Sequence, residues 1–107
     1  MPLVHNSDVG SVDMMAGVSR KTLTAGEKMM LCEVRIPAGD VVPMHTHPHE
    51  QTGYLISGRM RFQLGEETVE LGPGDAWMVP GDVPHEVTAL EAVVCIDVFS
   101  PPREEYR

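Results

Sequence analysis

An all-β sandwich or barrel is the fold class that this 107-residue sequence predicts. Three observations point to it. Short apolar segments follow one another with turn-forming glycines and prolines between them, ten of the first and nine of the second. Met60, Phe62 and Leu64 alternate with Arg59, Arg61 and Gln63, the period of a strand with one buried face. Nowhere does an apolar period of 3.6 run long enough for a credible helix. Many short strands with frequent turns build sandwiches and barrels.

The elements follow in order. Residues 1–27 are expected to form an N-terminal arm packing on a barrel, because the first twenty or so are polar and irregular, with Gly10 and Gly17. Residues 28–107 form a single barrel domain. Lys28 to Ile36 is apolar and β-compatible, and it stops at the turn Pro37-Ala38-Gly39-Asp40. Gln51 to Ser57 and Arg59 to Leu64 close on Gly58 as a hairpin. Gly65-Glu66-Glu67 leads into a short strand near Thr68 to Leu71. Gly72-Pro73-Gly74-Asp75 turns the chain into Ala76 to Val79. His85 to Thr88 and Glu91 to Ser100 complete the set.

Composition narrows the function. A formal charge of −8 excludes the basic surface that nucleic acid or an anionic membrane requires. Any anionic substrate must therefore find local positive charge, from a metal or from a few arginines. Cys32 and Cys95 lie inside apolar runs and read as buried thiols, since two cysteines make no disulfide framework. The N-terminus lacks the pattern of a signal peptide, and no stretch reaches the length of a membrane span. A cytoplasmic location is the default expectation.

The chemistry sits in a two-part pattern. Gly39 precedes His45-Thr46-His47 by five residues, Gln51 follows after three more, and Gly58 after a further six. The second part is Gly74-Asp75, then Pro80-Gly81-Asp82-Val83-Pro84-His85. Histidines at i and i+2 on a strand share one face, and a third imidazole from a distant strand can close a metal site. A side-chain amide oxygen can serve as fourth ligand. Neutral imidazoles suit zinc, iron, nickel and copper. Glu50 is the competing carboxylate, but its parity is opposite to that of His45, His47 and Gln51; His49 has matching parity and reads as a loop or supporting residue.

The two motifs resemble those of the cupin superfamily, a double-stranded β-helix or jelly-roll barrel, over roughly residues 28 to 100. The resemblance implies His45, His47, Gln51 and His85 as ligands of one divalent transition metal: nickel, zinc, iron or manganese. Gln51 stands where a glutamate is frequent, and Asp82 replaces a glycine. Three imidazoles and an amide leave the whole +2 charge on the site, which strengthens its hold on an anionic oxygen.

A narrower resemblance rests on the run His45 to Gln51 and on Asp97-Val98-Phe99-Ser100-Pro101-Pro102-Arg103-Glu104. It is similar to small cupins of the pectin-degradation type, which convert 4,5-unsaturated uronates into linear keto forms. That likeness implies Asp97, Phe99 and Arg103 as active-site residues. Asp97 would move protons, Phe99 would wall a sugar face, and Arg103 would clamp a carboxylate. An Asp within the apolar run Ala92 to Phe99 needs a partner or a function. A dioxygenase, a polyketide cyclase and a non-enzymatic barrel holding a small ligand or metal are the competing readings. A homodimer is the expected assembly, through the arm and an exposed sheet edge.

Overall fold

The structure, a computed structural model, describes residues 3–15 and 17–107. Among the described residues, ten strands form two antiparallel sheets: β1 (Val12–Met15), β2 (Val18–Ala25), β3 (Met30–Ile36), β4 (Val41–His45), β5 (Glu50–Ser57), β6 (Met60–Leu64), β7 (Glu67–Leu71), β8 (Ala76–Val79), β9 (His85–Ala89) and β10 (Val93–Ser100). The larger sheet has the order β1-β2-β3-β10-β5-β8, and the smaller β4-β9-β6-β7. Their inner faces pack together as a jelly-roll barrel. Among the described residues, the only helical turns are short 3-10 pieces at Asn6–Asp8 and Glu104–Tyr106.

Strand β10 sits between β3 and β5, so its inward residues reach the centre of the barrel. Val93, Cys95, Asp97 and Phe99 are buried, whereas Val94, Ile96 and Val98 are only half-buried. The alternation in β6 behaves as expected, with Met60 and Phe62 buried and Arg61 exposed. Leu55, Val79, Met60 and Phe62 form the main core with Trp77, and Met30, Cys32 and Phe99 form a second cluster nearer one end. Both cysteines are buried free thiols. Burial raises their pKa values, which keeps them protonated.

Two parts of the chain differ from the reading of the sequence. The expected irregular arm contains β1 and β2, and β2 pairs along β3 from Ser19 to Ala25. Its half-buried polar residues hide the strand, because Arg20, Lys21, Thr22 and Thr24 satisfy no simple alternation. The segment before it is fastened too: Asn6 Nδ2 donates to Glu33 Oε2 at 2.7 Å, and Lys21 Nζ to Asn6 Oδ1 at 2.8 Å. Strand β4, implied only by the spacing of His45 and His47, ends at His45 and contains Pro43. It is an edge strand with an irregular register between Val42 and His45, the kind of place where a sheet accepts proline.

Two glycines shape the barrel. Gly58 has φ of +92°, and a Cβ there would lie 2.0 Å from the Ala92 carbonyl oxygen. Gly53 faces Trp77 across the β5–β8 pair, and a Cβ there would fall 2.1 Å from the indole ring. The missing side chain is therefore the seat of the indole. Gly53→Ala is expected to displace the chain's single tryptophan and to cost about 1–3 kcal/mol of stability, the usual range for overpacking. Denaturant unfolding followed by Trp77 fluorescence checks both effects at once.

Candidate metal centre and active site

Three histidines converge at one end of the barrel. His45 ends β4, His85 opens β9, and the two are register partners across that pair. His47 lies just past the end of β4, so the two histidines of the motif do not share a strand as the spacing suggested. The loop turns His47 inward instead. One nitrogen from each ring comes within 4.8 Å of the others.

The backbone decides which nitrogen faces inward. His45 Nδ1 is 2.8 Å from the Pro43 carbonyl oxygen, His47 Nδ1 is 3.0 Å from that of His49, and His85 Nδ1 is 2.9 Å from that of Val83. A carbonyl only accepts, so each Nδ1 carries the proton and donates. Each neutral ring then presents Nε2 as a lone pair. The Nε2 of His85 is buried with no partner. Burial, reinforced by the neighbouring histidines, lowers the pKa of His85 to about 4. His47 is lowered as well, by burial first and then by the charge of Arg103.

Gln51 completes the set. Its Nε2 donates to Asp97 Oδ1 at 2.9 Å, which turns Oε1 toward the histidines, 3.1 Å from His47 Nε2. With the His47 proton on Nδ1, two acceptors face each other with no hydrogen between them. A cation shared by both removes that repulsion. The orphaned Nε2 of His85 makes the same demand. The neutral N3O donor set therefore fits a divalent transition metal held by His45, His47, Gln51 and His85. Glu50 is exposed, as its opposite parity indicated, and His49 stands outside the cluster as a loop residue despite its matching parity.

Asp97 anchors the next layer. Its Oδ1 accepts from Gln51 and also from Trp77 Nε1, at 2.9 Å each. Burial raises its pKa above the usual carboxylate range, opposed by those two hydrogen bonds and by Arg103. Phe99 meets the His47 ring edge-on with centroids 5.7 Å apart. Arg103 places its guanidinium carbon 5.1 Å from the centre of the Phe99 ring and 4.1 Å from that of Tyr106. His45, Gln51, His85, Asp97, Phe99 and Arg103 all line one cavity. All three residues expected from the last strand and its tail are thus brought to the ligands. Trp77 and Tyr106 line it too. Tyr106 lies beyond every motif and carried no signal in the sequence.

Asp82, which replaces the glycine of the second motif, adopts φ of +67°. Aspartate tolerates this left-handed region better than most residues. Its N–H donates to the His47 carbonyl at 2.8 Å, so the departure leaves the loop intact.

Comparison with known proteins agrees with this geometry. The cupin domain family model matches residues 32–99. The chain is 33% identical over 92 residues to the pectin degradation protein KdgF of Dickeya dadantii, covering 84% of each. The solved structure of KdgF from a Halomonas species superposes with a TM-score of 0.92 at 32% identity, covering 97% of this chain and 96% of that one. A cupin described as RmlC-like, from Shewanella frigidimarina, superposes equally well at 25% identity, covering 96% of this chain and 93% of that one.

The depressed histidine has a measurable consequence in the metal-free protein. Between about pH 6.5 and 4 the unfolded chain binds a proton at position 85 that the folded chain refuses. Stability from this group is complete above pH 6.5 and falls as the pH drops through that window. Asp97 acts in the opposite sense, because its raised pKa favours proton uptake by the folded state. Melting temperatures of chelator-treated wild type and His85→Gln isolate the histidine. The wild type is expected to lose more stability between pH 6.5 and 4 than the variant does.

Proposed function

This chain belongs to the cupin domain family, and on that premise we propose that it is a metal-dependent enzyme that opens a 4,5-unsaturated uronate to its linear keto form. The observation that carries the reading is one cavity lined by His45, Gln51 and His85 together with Asp97, Phe99 and Arg103, with His47 clustered against the other two histidines. Likeness to two KdgF proteins, one of them named for pectin degradation, supports the substrate class.

The isomerisation needs no net oxidation. The hemiacetal hydroxyl gives up a proton, the bond between the anomeric carbon and the ring oxygen breaks to leave an aldehyde, and the enol so formed takes a proton on carbon and becomes a ketone. A bound divalent metal supplies Lewis acidity and positive charge for substrate oxygens. Asp97 takes up and returns the proton, a role suited to a carboxyl whose pKa is raised by burial. Its Oδ1 is occupied by Gln51 and Trp77, and no hydrogen bond from the described residues reaches Oδ2, which is left for exchange. Phe99 offers an apolar face and excludes water. Arg103 uses only Nε in its pair with Glu105, at 3.2 Å, and keeps its terminal amines for the substrate carboxylate.

The test is bleaching of the ultraviolet absorbance of the conjugated double bond in 4,5-unsaturated galacturonate. Metal-loaded protein is expected to exceed the spontaneous rate equally in air and under anaerobiosis. His47→Ala, which removes a metal donor, should abolish metal-dependent turnover, and Asp97→Asn should lower the rate about 100-fold or more, the usual scale for losing a general acid–base group. No acceleration by protein that retains its metal would refute the reading. A requirement for oxygen would favour a dioxygenase.

Assembly as a homodimer belongs to the same proposal. Tyr54, Ile56 and Met78 are exposed on the adjacent strands β5 and β8. Light scattering at micromolar concentration is expected to give twice the mass of one chain, and a monomer mass would refute it.

A further inference from the structure

The tail that follows β10 turns back over the cavity, and its geometry assigns a role to a residue outside every motif. We propose that Tyr106 is a positioning residue, which holds Arg103 in the pose that receives the substrate carboxylate. The inference rests on the function proposed for Arg103 and adds the device that aims it.

Arginine has a long stem with many rotamers, so a clamp at a cavity mouth must be held by something. Here it is held by two aromatic faces. Phe99 and Tyr106 meet edge to face at 79°, with centroids 5.8 Å apart, and the Arg103 guanidinium lies in the angle between them. Its side chain is only 15% exposed. Among the described residues its one ionic partner is Glu105, itself 60% exposed, which engages Nε alone. Such an exposed pair contributes little to order. The two rings therefore hold the guanidinium beside the cavity that Arg103, Asp97 and His45 all line.

Tyr106 is in turn fastened from the other side. Thr22 Oγ1 donates to its carbonyl oxygen at 2.5 Å, and its own N–H donates to the Arg103 carbonyl at 2.9 Å. The Arg20 guanidinium carbon lies 4.2 Å from the centre of the Tyr106 ring, and Arg20 Nη2 reaches the Glu105 carbonyl at 3.4 Å. Two cations on one ring make Tyr106 the joint between β2 and the tail. Both arginines gain from the negative face of the ring. The ring alone supplies this hold, so phenylalanine should replace tyrosine and leucine should not.

The experiment compares wild type, Tyr106→Phe and Tyr106→Leu as zinc-loaded full-length chains. In steady-state bleaching of 4,5-unsaturated galacturonate, Tyr106→Leu should raise KM about tenfold with kcat within about twofold, the signature of lost uniform binding. Tyr106→Phe should keep the wild-type KM. Nuclear magnetic resonance reads the pose without substrate. The δ-methylene protons of Arg103 should be shifted upfield by the rings in wild type and Tyr106→Phe, and return to ordinary positions in Tyr106→Leu. Unchanged Arg103 signals in a folded Tyr106→Leu protein overturn the inference. So does an unchanged KM. Wild type that shows the ring shifts, with their loss in Tyr106→Leu, but no turnover upholds the positioning and sinks the proposed substrate instead.

Discussion

One buried carboxylate oxygen organises this site. Asp97 Oδ1 receives the Gln51 amide and the Trp77 indole, each at 2.9 Å, from two different strands. The first contact turns the Gln51 carbonyl oxygen toward the histidines. The second pins the largest side chain of the barrel in the space that Gly53 leaves open. Removing the carboxylate would free the amide to flip and leave an indole N–H buried without an acceptor, a cost of about 1–3 kcal/mol for the second effect alone. The orientation of the Gln51 amide, the buried carboxylate of Asp97 and the inner packing around Trp77 therefore share a single atom. Buried networks of this kind are robust only when every member is satisfied.

The histidines are aimed by a different and more local device. Each donates Nδ1–H to a backbone carbonyl two residues away, at Pro43, His49 or Val83. No side chain is needed to set the tautomer, only the path of the chain. That path is irregular in each case, at the Pro43 break in β4, in the loop between β4 and β5, and in the turn before β9. Regular strand geometry would have committed those carbonyls to the ladder. The turns that look like punctuation in the sequence thus do chemical work, by leaving carbonyls free to orient the rings.

Much of this was legible in the chain, and for physical reasons. Periodicity in Met60 to Leu64 and turn chemistry at Gly58 and Gly74 follow local rules, so the later strands were readable. The clustering of His45, His47 and His85 was readable because a metal site demands particular residue types at particular spacings. Asp97 was readable because an acid inside an apolar strand requires a partner, and the structure supplies Gln51 and Trp77. Strands β1 and β2 were not readable, since edge and near-edge strands carry mixed burial, and β4, which tolerates Pro43, was implied only by the spacing of His45 and His47. Tyr106 was invisible for another reason. Its importance lies in meeting Arg20 and Arg103 from across the fold, and no spacing along the chain encodes such a meeting.

The same contacts explain the unusual fourth donor. A glutamate at position 51 would place a second carboxylate where the Gln51 amide now stands, 2.9 Å from Asp97 Oδ1. Two carboxylates that close cannot both stay ionised, so one would hold a proton and the pair would titrate as a unit. The amide avoids that conflict by donating to one neighbour and accepting toward the other. It leaves Asp97 free of a competing carboxylate and keeps the donor set neutral. In a chain of formal charge −8, a neutral donor set preserves the positive charge of a bound metal, and Arg20 and Arg103 add two cations around Tyr106. An anion would meet repulsion over most of this surface and attraction near Arg20 and Arg103. The choice of glutamine over glutamate is thus a consequence of Asp97, and the local positive field follows from it.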